Sequence, residues 1–334
     1  MKKFYKILFL LMITISTLIS ISSISWLMIW VGLEINLLSI IPLMKEKNNI
    51  YSSEAAIKYF MIQAIASIMF LSSVMMSMFS NLIIFKEIFS FSTSLALLLK
   101  MGAAPFHFWL PEVVSGLSWQ MNFIMLTWQK IAPMIILTYL SYSPLFLSIF
   151  IISSTLISGI QGFNQTCLRK IMAYSSINHI SWMISSLLCS TVLWTYYFLI
   201  YCLISLNIVI IFMKLNVFKL NQLSNAFSFN KKMKMFFMLN FLSLGGLPPF
   251  LGFLPKWLTI NSMIKNNFYF LSLILIVLTL ITLYFYLRIT FSSFSIKSKE
   301  TLTKIFYKMN FFYMFMNFLS LMSLVFCTLI TKIF

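Results

Sequence analysis

Two related ten-residue stretches interrupt long apolar segments of this 334-residue chain. Residues 102–111 read Gly-Ala-Ala-Pro-Phe-His-Phe-Trp-Leu-Pro and residues 246–255 read Gly-Leu-Pro-Pro-Phe-Leu-Gly-Phe-Leu-Pro, so five of ten positions agree without a gap. Each stretch predicts a broken helix, because proline removes a backbone donor and clashes with the preceding turn. A matched pair of interrupted segments indicates an ion or substrate path between structural repeats. The alternative is two unrelated kinks, which membrane helices tolerate.

The composition indicates an integral membrane protein. Hydrophobic residues make up 61% of the chain and charged residues 9%, whereas a soluble domain is roughly one quarter charged. The net charge of +18 comes without a nucleic-acid motif, so we predict no nucleic-acid partner. Four cysteines without CxxC spacing predict neither an iron–sulfur nor a zinc site. The absence of Asp, with 36 Phe and 24 Met, is typical of a small AT-rich organellar genome.

Runs of about twenty apolar residues, enough to cross a bilayer, predict an all-α polytopic protein with eleven membrane spans. The first break falls in span 4 and the second, with Lys256, in span 9. Span 7 follows Arg169 and Lys170 and contains His179. The remaining predicted bounds are 4–21, 24–43 and 54–79 for spans 1 to 3, 91–113 and 119–141 for spans 4 and 5, 144–163 for span 6, 191–213 for span 8, 268–288 for span 10 and 311–332 for span 11.

The basic residues separate by side of the membrane. If successive loops alternate between the two sides, seventeen Lys and Arg lie on the side of the amino terminus and three lie on the other. This positive-inside pattern predicts an amino terminus on the cytoplasmic or matrix side and a carboxyl terminus on the opposite side. The three exceptions are Lys86, Lys265 and Lys332.

Three lysines inside the spans are candidates for a proton path. Lys100 precedes the first break, Lys130 lies in span 5 and Lys256 follows the second break. A charge at mid-membrane depth costs about 2.5–3.5 kcal/mol, so these side chains are expected to face a protein interior or water. Burial favours the neutral amine and a nearby carboxylate favours the charged one, so such a lysine can take up and release protons. Lys58, one turn from Glu54, is expected to reach the membrane surface instead.

Glu34 is the candidate carboxylate partner, because it lies in the middle of span 2 while Glu46, Glu87 and Glu300 fall in predicted loops. At about 4 Å and an effective dielectric constant near 20, a pair of Glu34 and Lys100 would be coupled by roughly 4 kcal/mol. Separating the pair could then move a proton. The alternative is a static ion pair that only fixes helix packing.

The two histidines of the chain are candidate proton carriers. His179 is a candidate relay because imidazole titrates near neutral pH, and its alternative is a packing residue. Asn178 lies 144 positions after Glu34, the offset between the two breaks, so spans 2 and 7 are candidate counterparts. His107, beside the first break, could be satisfied by exposed carbonyls or water, and Glu112 is expected at the surface or in a subunit contact.

Four motifs together resemble the antiporter-like membrane subunits of respiratory complex I, in their short animal mitochondrial, insect-like form. The motifs are Trp-x-Gly-Leu-Glu-Ile-Asn-Leu-Leu at 30–38, Leu-Lys-Met-Gly-Ala-Ala-Pro-Phe-His-Phe-Trp at 99–109, Trp-Gln-Lys-Ile-Ala-Pro at 128–133 and Asn-Phe-Leu-Ser-Leu-Gly-Gly-Leu-Pro-Pro-Phe at 240–250. The resemblance implies a single membrane domain over 1–334, with two inverted five-helix repeats at 1–142 and 144–290 and a last helix at 311–332.

The resemblance also implies a role for each candidate residue. Glu34 and Lys100 would form a coupled pair, Lys130 would lie on a central hydrophilic axis, His179 would take the place of the family's span 7 histidine, and Lys256 would serve the far half-channel. The chain would translocate protons as a subunit of an NADH:ubiquinone reductase. NADH, FMN, iron–sulfur clusters and the ubiquinone headgroup would bind elsewhere in the complex, which agrees with the lack of a dinucleotide motif here.

The implied location is the mitochondrial inner membrane, with the amino terminus in the matrix and the carboxyl terminus in the intermembrane space. The implied partners are other membrane subunits of the complex, including neighbouring antiporter-like subunits, and lipid. Bacterial relatives have three further amino-terminal helices, so the shorter form would leave a groove for other subunits or lipid.

Two other functions remain open from the residues alone. A stand-alone cation/proton antiporter would use the same broken helices and buried lysines, but would usually need a carboxylate cation site, for which Glu34 is the single mid-span candidate. A structural membrane scaffold would need no charges at mid-depth, and Lys100 and Lys130 argue against it.

Overall fold

A computed structural model describes residues 4–46, 49–79, 83–140, 143–227, 231–294, 315, 317 and 318. Within these residues the regular structure is helical, apart from one isolated β-bridge between Cys167 and Lys219. The helices are α1 (Phe4–Ser22), α2 (Trp26–Met44), α3 (Ile50–Phe79), α4 (Ile83–Met101), α5 (Trp109–Gly116), α6 (Trp119–Leu126), α7 (Trp128–Thr138), α8 (Pro144–Phe163), α9 (Leu168–Cys189), α10 (Thr191–Leu215), α11 (Leu220–Phe227), α12 (Lys231–Gly245), α13 (Phe253–Lys265) and α14 (Tyr269–Phe294).

The chain forms two compact units, Met1–Phe150 and Ile151–Phe334. In the first unit, α2 packs against α1 and α3, and α3 also packs against α4 and α5, while α7 contacts α1 and α4. In the second unit, α9 packs against α10 and α13, and α14 packs against α11 and α12. Each unit therefore surrounds its own broken helix with intact ones.

Six of the described helices are long and apolar enough to cross a membrane: α1, α2, α3, α8, α10 and α14. They confirm the predicted all-α polytopic membrane class. The described part of predicted span 11 is limited to residues 315, 317 and 318, so that span lies almost entirely outside the described residues.

Both broken helices end in the same backbone motif. α4 is followed by Gly102 with a φ of +74°, and α12 is followed by Gly246 with a φ of +75°. A left-handed glycine after the last helical residue is the mark of the Schellman motif, in which two late carbonyls accept bonds from the turn. The bonds run from Gly102 N to Leu99 O at 3.1 Å, Ala103 N to Leu98 O at 3.0 Å, Gly246 N to Ser243 O at 3.0 Å and Leu247 N to Leu242 O at 3.3 Å.

The chain then turns and resumes as a new helix in each case. A cis peptide joins Ala104 to Pro105 in the first break and Pro248 to Pro249 in the second. Predicted span 4 is thus α4 and α5, and predicted span 9 is α12 and α13, as the Gly/Pro pattern indicates.

Predicted span 5 is also divided, which the sequence did not predict. α6 ends at Leu126 and α7 begins at Trp128, with Thr127 between them at φ −117° and ψ −71°. The Thr127 hydroxyl donates to the Phe123 carbonyl at 2.6 Å. A threonine side chain that bonds the preceding turn competes with the helical backbone, and this bond accompanies the break.

Two predicted positions were wrong. Glu87 was placed in a loop but lies in α4, which begins eight residues earlier than predicted span 4. Arg169 and Lys170 lie in the first turn of α9 instead of before it. In both cases the charged residues lie near a helix end, where water remains within reach of long side chains.

Candidate functional site

Lys100 lies in the last turn of α4, directly before the first break, and is 7% exposed. A cation in this position is stabilised by the negative end of the helix dipole. The backbone carbonyl of Lys100 accepts a hydrogen bond from Gln63 Nε2 at 3.2 Å, which ties α3 to the end of α4. The Lys100 carbonyl at the end of α4 therefore accepts its hydrogen bond from a neutral amide. The side-chain ammonium of Lys100 takes no part in this bond.

A small polar cavity adjoins Lys100 inside the first unit. Its volume is about 10 Å³, and Asn36, Tyr59, Gln63, Lys100 and Gln129 are among the residues that line it. A space of this size is about that of one water molecule, and a water there needs two to four polar partners, which these side chains offer. The cavity is therefore large enough for one water molecule beside the lysine.

Three of these side chains form a network across α2, α3 and α7. Gln129 Nε2 donates to Asn36 Oδ1 at 3.0 Å, and Asn36 Nδ2 donates to Gln129 Oε1 at 3.3 Å. The Tyr59 hydroxyl also donates to Gln129 Oε1 at 3.3 Å. Asn36 and Gln129 were predicted only as motif residues, and Tyr59 and Gln63 were not predicted as site residues. The signal that could have found them is a polar side chain in the middle of an apolar span.

Glu34 lies in α2 and is partly buried. Its Oε1 atom is buried and has no hydrogen-bond partner among the described residues, and its charge interacts with both Lys100 and Tyr59. The ion pairs recorded within the described part of the chain are those of Lys58 with Glu54 and with Glu112, each at 2.9 Å. No ion pair joins Glu34 to Lys100 among the described residues, so their coupling in proton transfer stays a prediction.

Lys130 is the most deeply buried of the candidate lysines. It lies in the first turn of α7, one turn after the break at Thr127, and is 1% exposed. Its backbone N–H donates to the Thr127 carbonyl at 3.1 Å. The same helix carries Gln129 of the polar network, so α7 brings both the network and a buried lysine into the first unit.

His179 is buried in α9 within a group of aromatic side chains. Its Nδ1 atom is 2.9 Å from the Tyr197 hydroxyl, and the Tyr201 ring lies 4.9 Å away between ring centroids. The neighbouring Asn178 donates from Nδ2 to Thr282 Oγ1 at 3.2 Å. Tyr197 and Tyr201 were not singled out from the sequence, because two tyrosines one turn apart in an apolar helix also fit ordinary packing.

Lys256 lies in the first turn of α13, after the second break, and is 7% exposed. Its Nζ atom donates to the Gly245 carbonyl at 2.9 Å and lies 3.5 Å from the Leu244 carbonyl. The ammonium also lies 5.7 Å from the centroid of the Trp182 ring. The sequence indicated neither the carbonyls nor the tryptophan.

The remaining candidates fall outside these groups. His107 is fully buried, and its Nδ1 atom lies 3.2 Å from the Pro105 carbonyl, so an exposed carbonyl of the break satisfies the ring as the alternative interpretation held. Glu112 is 56% exposed at its side chain and is paired with Lys58. It lies in the first turn of α5, where a carboxylate is favoured by the helix dipole.

Broken helices with buried amines are typical of an antiporter-type polytopic membrane protein. A family model matches residues 23–282, and its description is NADH:quinone oxidoreductase/Mrp antiporter, transmembrane. The chain is 50% identical over 307 residues to NADH-ubiquinone oxidoreductase chain 2 of Anopheles gambiae, covering 90% of this chain and 89% of the relative. The corresponding chain of Ovis aries is 39% identical, with 86% and 85% covered. The chain belongs to the NADH-ubiquinone oxidoreductase chain 2 family.

Solved structures share the fold at lower identity. A chain of the respiratory complex I of Thermus thermophilus matches with a TM-score of 0.84 and 22% identity, covering 97% of this chain and 77% of that one. A chain of the Mrp complex of Dietzia sp. DQ12-45-1b matches with a TM-score of 0.77 and 16% identity, covering 84% of this chain and 59% of that one. These two likenesses concern the fold alone.

Proposed function

We propose that this chain is the proton-translocating, antiporter-like chain 2 of mitochondrial NADH:ubiquinone oxidoreductase, in the inner membrane. The observation that carries the proposal is Lys100: a buried lysine at the end of a broken helix, beside a water-sized polar cavity and within the electrostatic field of Glu34. From the family we infer the electron-transfer reaction, which belongs to the whole complex. The buried amines of this chain are groups that can take up and release protons.

The geometry supports a charge-driven proton transfer at Lys100 Nζ. Two charges interact more strongly inside a protein, where the effective dielectric constant is about 20, than in bulk water. A small change in the position or charge of Glu34 would therefore shift the balance between ammonium and amine at Lys100. The cavity water, held by Asn36, Tyr59, Gln63 and Gln129, would accept or return the proton.

Lys130, His179 and Lys256 complete the proposed set of proton-carrying residues, the first within unit 1 and the others within unit 2. The two inverted repeats, 1–142 and 144–290, are part of the same proposal. Its support is local, because the left-handed glycine and the two Schellman bonds recur at an offset of 144 residues.

The proposed position of the amino terminus is the matrix. Most basic residues fall in loops on the side of the amino terminus, and the positive-inside rule makes that side the matrix. Other membrane subunits and lipid are the proposed partners, and no nucleic acid is. NADH, flavin, iron–sulfur clusters and the ubiquinone headgroup are assigned to other chains of the complex. A stand-alone cation antiporter is disfavoured, because Glu34 is the single carboxylate predicted in the middle of a span and the chain has no Asp.

Replacement of Lys100 by methionine is expected to lower NADH-driven proton pumping by the assembled complex by roughly tenfold or more, a conservative figure for the loss of a proton-transfer group. The measurement is proton uptake per NADH oxidised in vesicles carrying the intact complex. The matched control is Lys58→Met, which removes an exposed amine paired with Glu54 and Glu112 and should change pumping little. Wild-type pumping by assembled Lys100→Met complex would make Lys100 structural and refute its role.

A further inference from the structure

We propose that Gly246 and Trp182 are positioning residues for Lys256, and that the free carbonyls at the end of α12 replace a carboxylate as the partner of its ammonium. The inference rests on the proposed function of Lys256 as a proton carrier. These residues and carbonyls would hold the Lys256 amine in place at the second break.

The carbonyls are available because of how α12 ends. The last four carbonyls of a helix have no intrahelical donor. The Schellman bonds from Gly246 and Leu247 use those of Ser243 and Leu242. The next two carbonyls along the chain, those of Leu244 and Gly245, are the ones that face Lys256 Nζ, at 3.5 Å and 2.9 Å.

The electrostatics favour this placement of the charge. Lys256 belongs to the first turn of α13, where the positive end of the helix dipole disfavours a cation, while the end of α12 attracts one. A hydrogen bond from an ammonium to a carbonyl is stronger than one between neutral groups. The protonated form of Lys256 is therefore held by two backbone oxygens, and a neutral amine would lose that attraction.

Gly246 leaves the space through which the lysine reaches the carbonyls. A Cβ atom at this position would lie 2.7 Å from Lys256 Cδ, 3.0 Å from Nζ and 3.1 Å from Cε. Because real Cβ atoms do not approach other atoms this closely, any other residue here displaces the side chain. The left-handed φ of +75° is a second reason why glycine is favoured at position 246. An experiment can separate the backbone conformation from the contact with Lys256.

Trp182 covers the ammonium from α9. Its ring centroid lies 5.7 Å from Nζ, within the distance at which a cation is attracted to an aromatic face. Trp182 is fully buried and lies one turn from His179 on the same helix. It therefore supplies attraction to the charge and excludes water from the bonds to the carbonyls.

The first break shows the same backbone with a different partner. Residue 244 corresponds to Lys100 at the offset of 144, and the carbonyl of Lys100 accepts its bond from the neutral amide of Gln63. A Cβ atom at Gly102 would meet Leu110 Cδ1 at 3.1 Å and Trp109 at 3.3 Å, with no lysine among its nearest contacts. Gly102→Ala therefore introduces the same kind of backbone strain as Gly246→Ala, because both glycines have a left-handed φ. Its added methyl group does not contact Lys256.

The test compares Gly246→Ala, Lys256→Gln and the double variant in the intact complex, with Gly102→Ala as the control for backbone strain in assembly. Proton uptake per NADH oxidised is measured in vesicles. Gly246→Ala and Lys256→Gln are each expected to pump roughly tenfold less, the factor that matches loss of one charge-assisted hydrogen bond. The double variant is expected to equal Lys256→Gln, because Gly246 acts only through that lysine.

Additive losses in the double variant, or wild-type pumping by Gly246→Ala while Lys256→Gln is impaired, would overturn the inference. If Lys256→Gln itself pumps normally, the proposed role of Lys256 fails, and a density map of Gly246→Ala decides the positioning claim: it stands if Nζ has left the Gly245 carbonyl and falls if the bond remains. Should Gly246→Ala fail to assemble, Trp182→Leu replaces it, with Trp182→Phe as the variant that keeps an aromatic face. Wild-type pumping by Trp182→Leu would then contradict the inference.

Discussion

Replacement of Lys130 by leucine is expected to leave the complex assembled and to lower proton pumping by about tenfold or more, since a positioned proton-transfer group contributes at least that much. Lys130 is 1% exposed in the first turn of α7, so its ammonium has been taken out of water at a considerable cost in free energy. An apolar side chain of smaller volume removes that cost. The measurement is proton uptake per NADH oxidised, together with the amount of assembled complex.

A second variant separates proton exchange from static charge. Lys130→Arg keeps a positive charge, but a guanidinium does not release its proton in proteins. It is therefore expected to fail in pumping as Lys130→Leu does. Normal pumping by Lys130→Arg would show that the charge alone matters, and normal pumping by Lys130→Leu would show that neither the charge nor the proton does.

Replacement of Gly116 by leucine is expected to prevent stable assembly, and Gly116→Ala to destabilise the first unit by about 1–3 kcal/mol, the usual cost of overpacking. A Cβ atom at Gly116 would lie 2.6 Å from the Tyr51 carbonyl oxygen and 2.9 Å from Ala55 Cβ. The obstacle is backbone of α3, which cannot rotate away, and small residues are what allow membrane helices to approach so closely. Thermal inactivation and the yield of assembled complex measure the effect.

The steric control is Gly245→Ala, used for stability only. A Cβ atom there would meet Tyr286 Cδ2 at 3.7 Å and Leu283 Cγ at 3.8 Å, which is ordinary van der Waals contact. Its assembly and thermal inactivation should match the wild type. Equal stability of Gly116→Ala and Gly245→Ala would mean that α3 and α5 do not pack as closely as the structure shows.

The breaks could be predicted from the sequence because their causes are local. Glycine and proline lie within a few residues of each other in both ten-residue stretches, and α4 and α12 end where these stretches begin. The burial of Lys100 and Lys130 is expected from their position in long apolar runs, because a charge far from both membrane surfaces is costly unless it faces a protein interior or water.

The partners of these residues could not be predicted, because they come from distant parts of the chain. Gln63 reaches Lys100 across 37 residues, and Gln129 reaches Asn36 across 93. Lys256 donates to backbone carbonyls instead of a carboxylate. Every residue has a backbone carbonyl, so the sequence does not indicate which one a lysine contacts. The break at Thr127 was missed because a single threonine in an apolar run does not by itself predict the end of a helix: Thr93 and Thr155 make the same hydroxyl-to-carbonyl bond within intact helices.

The central claim is that Glu34 and Lys100 act as one electrostatic unit in proton transfer. The most direct test is a double-mutant cycle with Glu34→Gln, Lys100→Gln and both together, read as proton uptake per NADH oxidised by the assembled complex. If Glu34 acts through the charge of Lys100, as proposed, the double variant is expected to pump no worse than Lys100→Gln alone, a clear departure from additivity. Additive losses would show that the two residues serve separate purposes and would contradict the account.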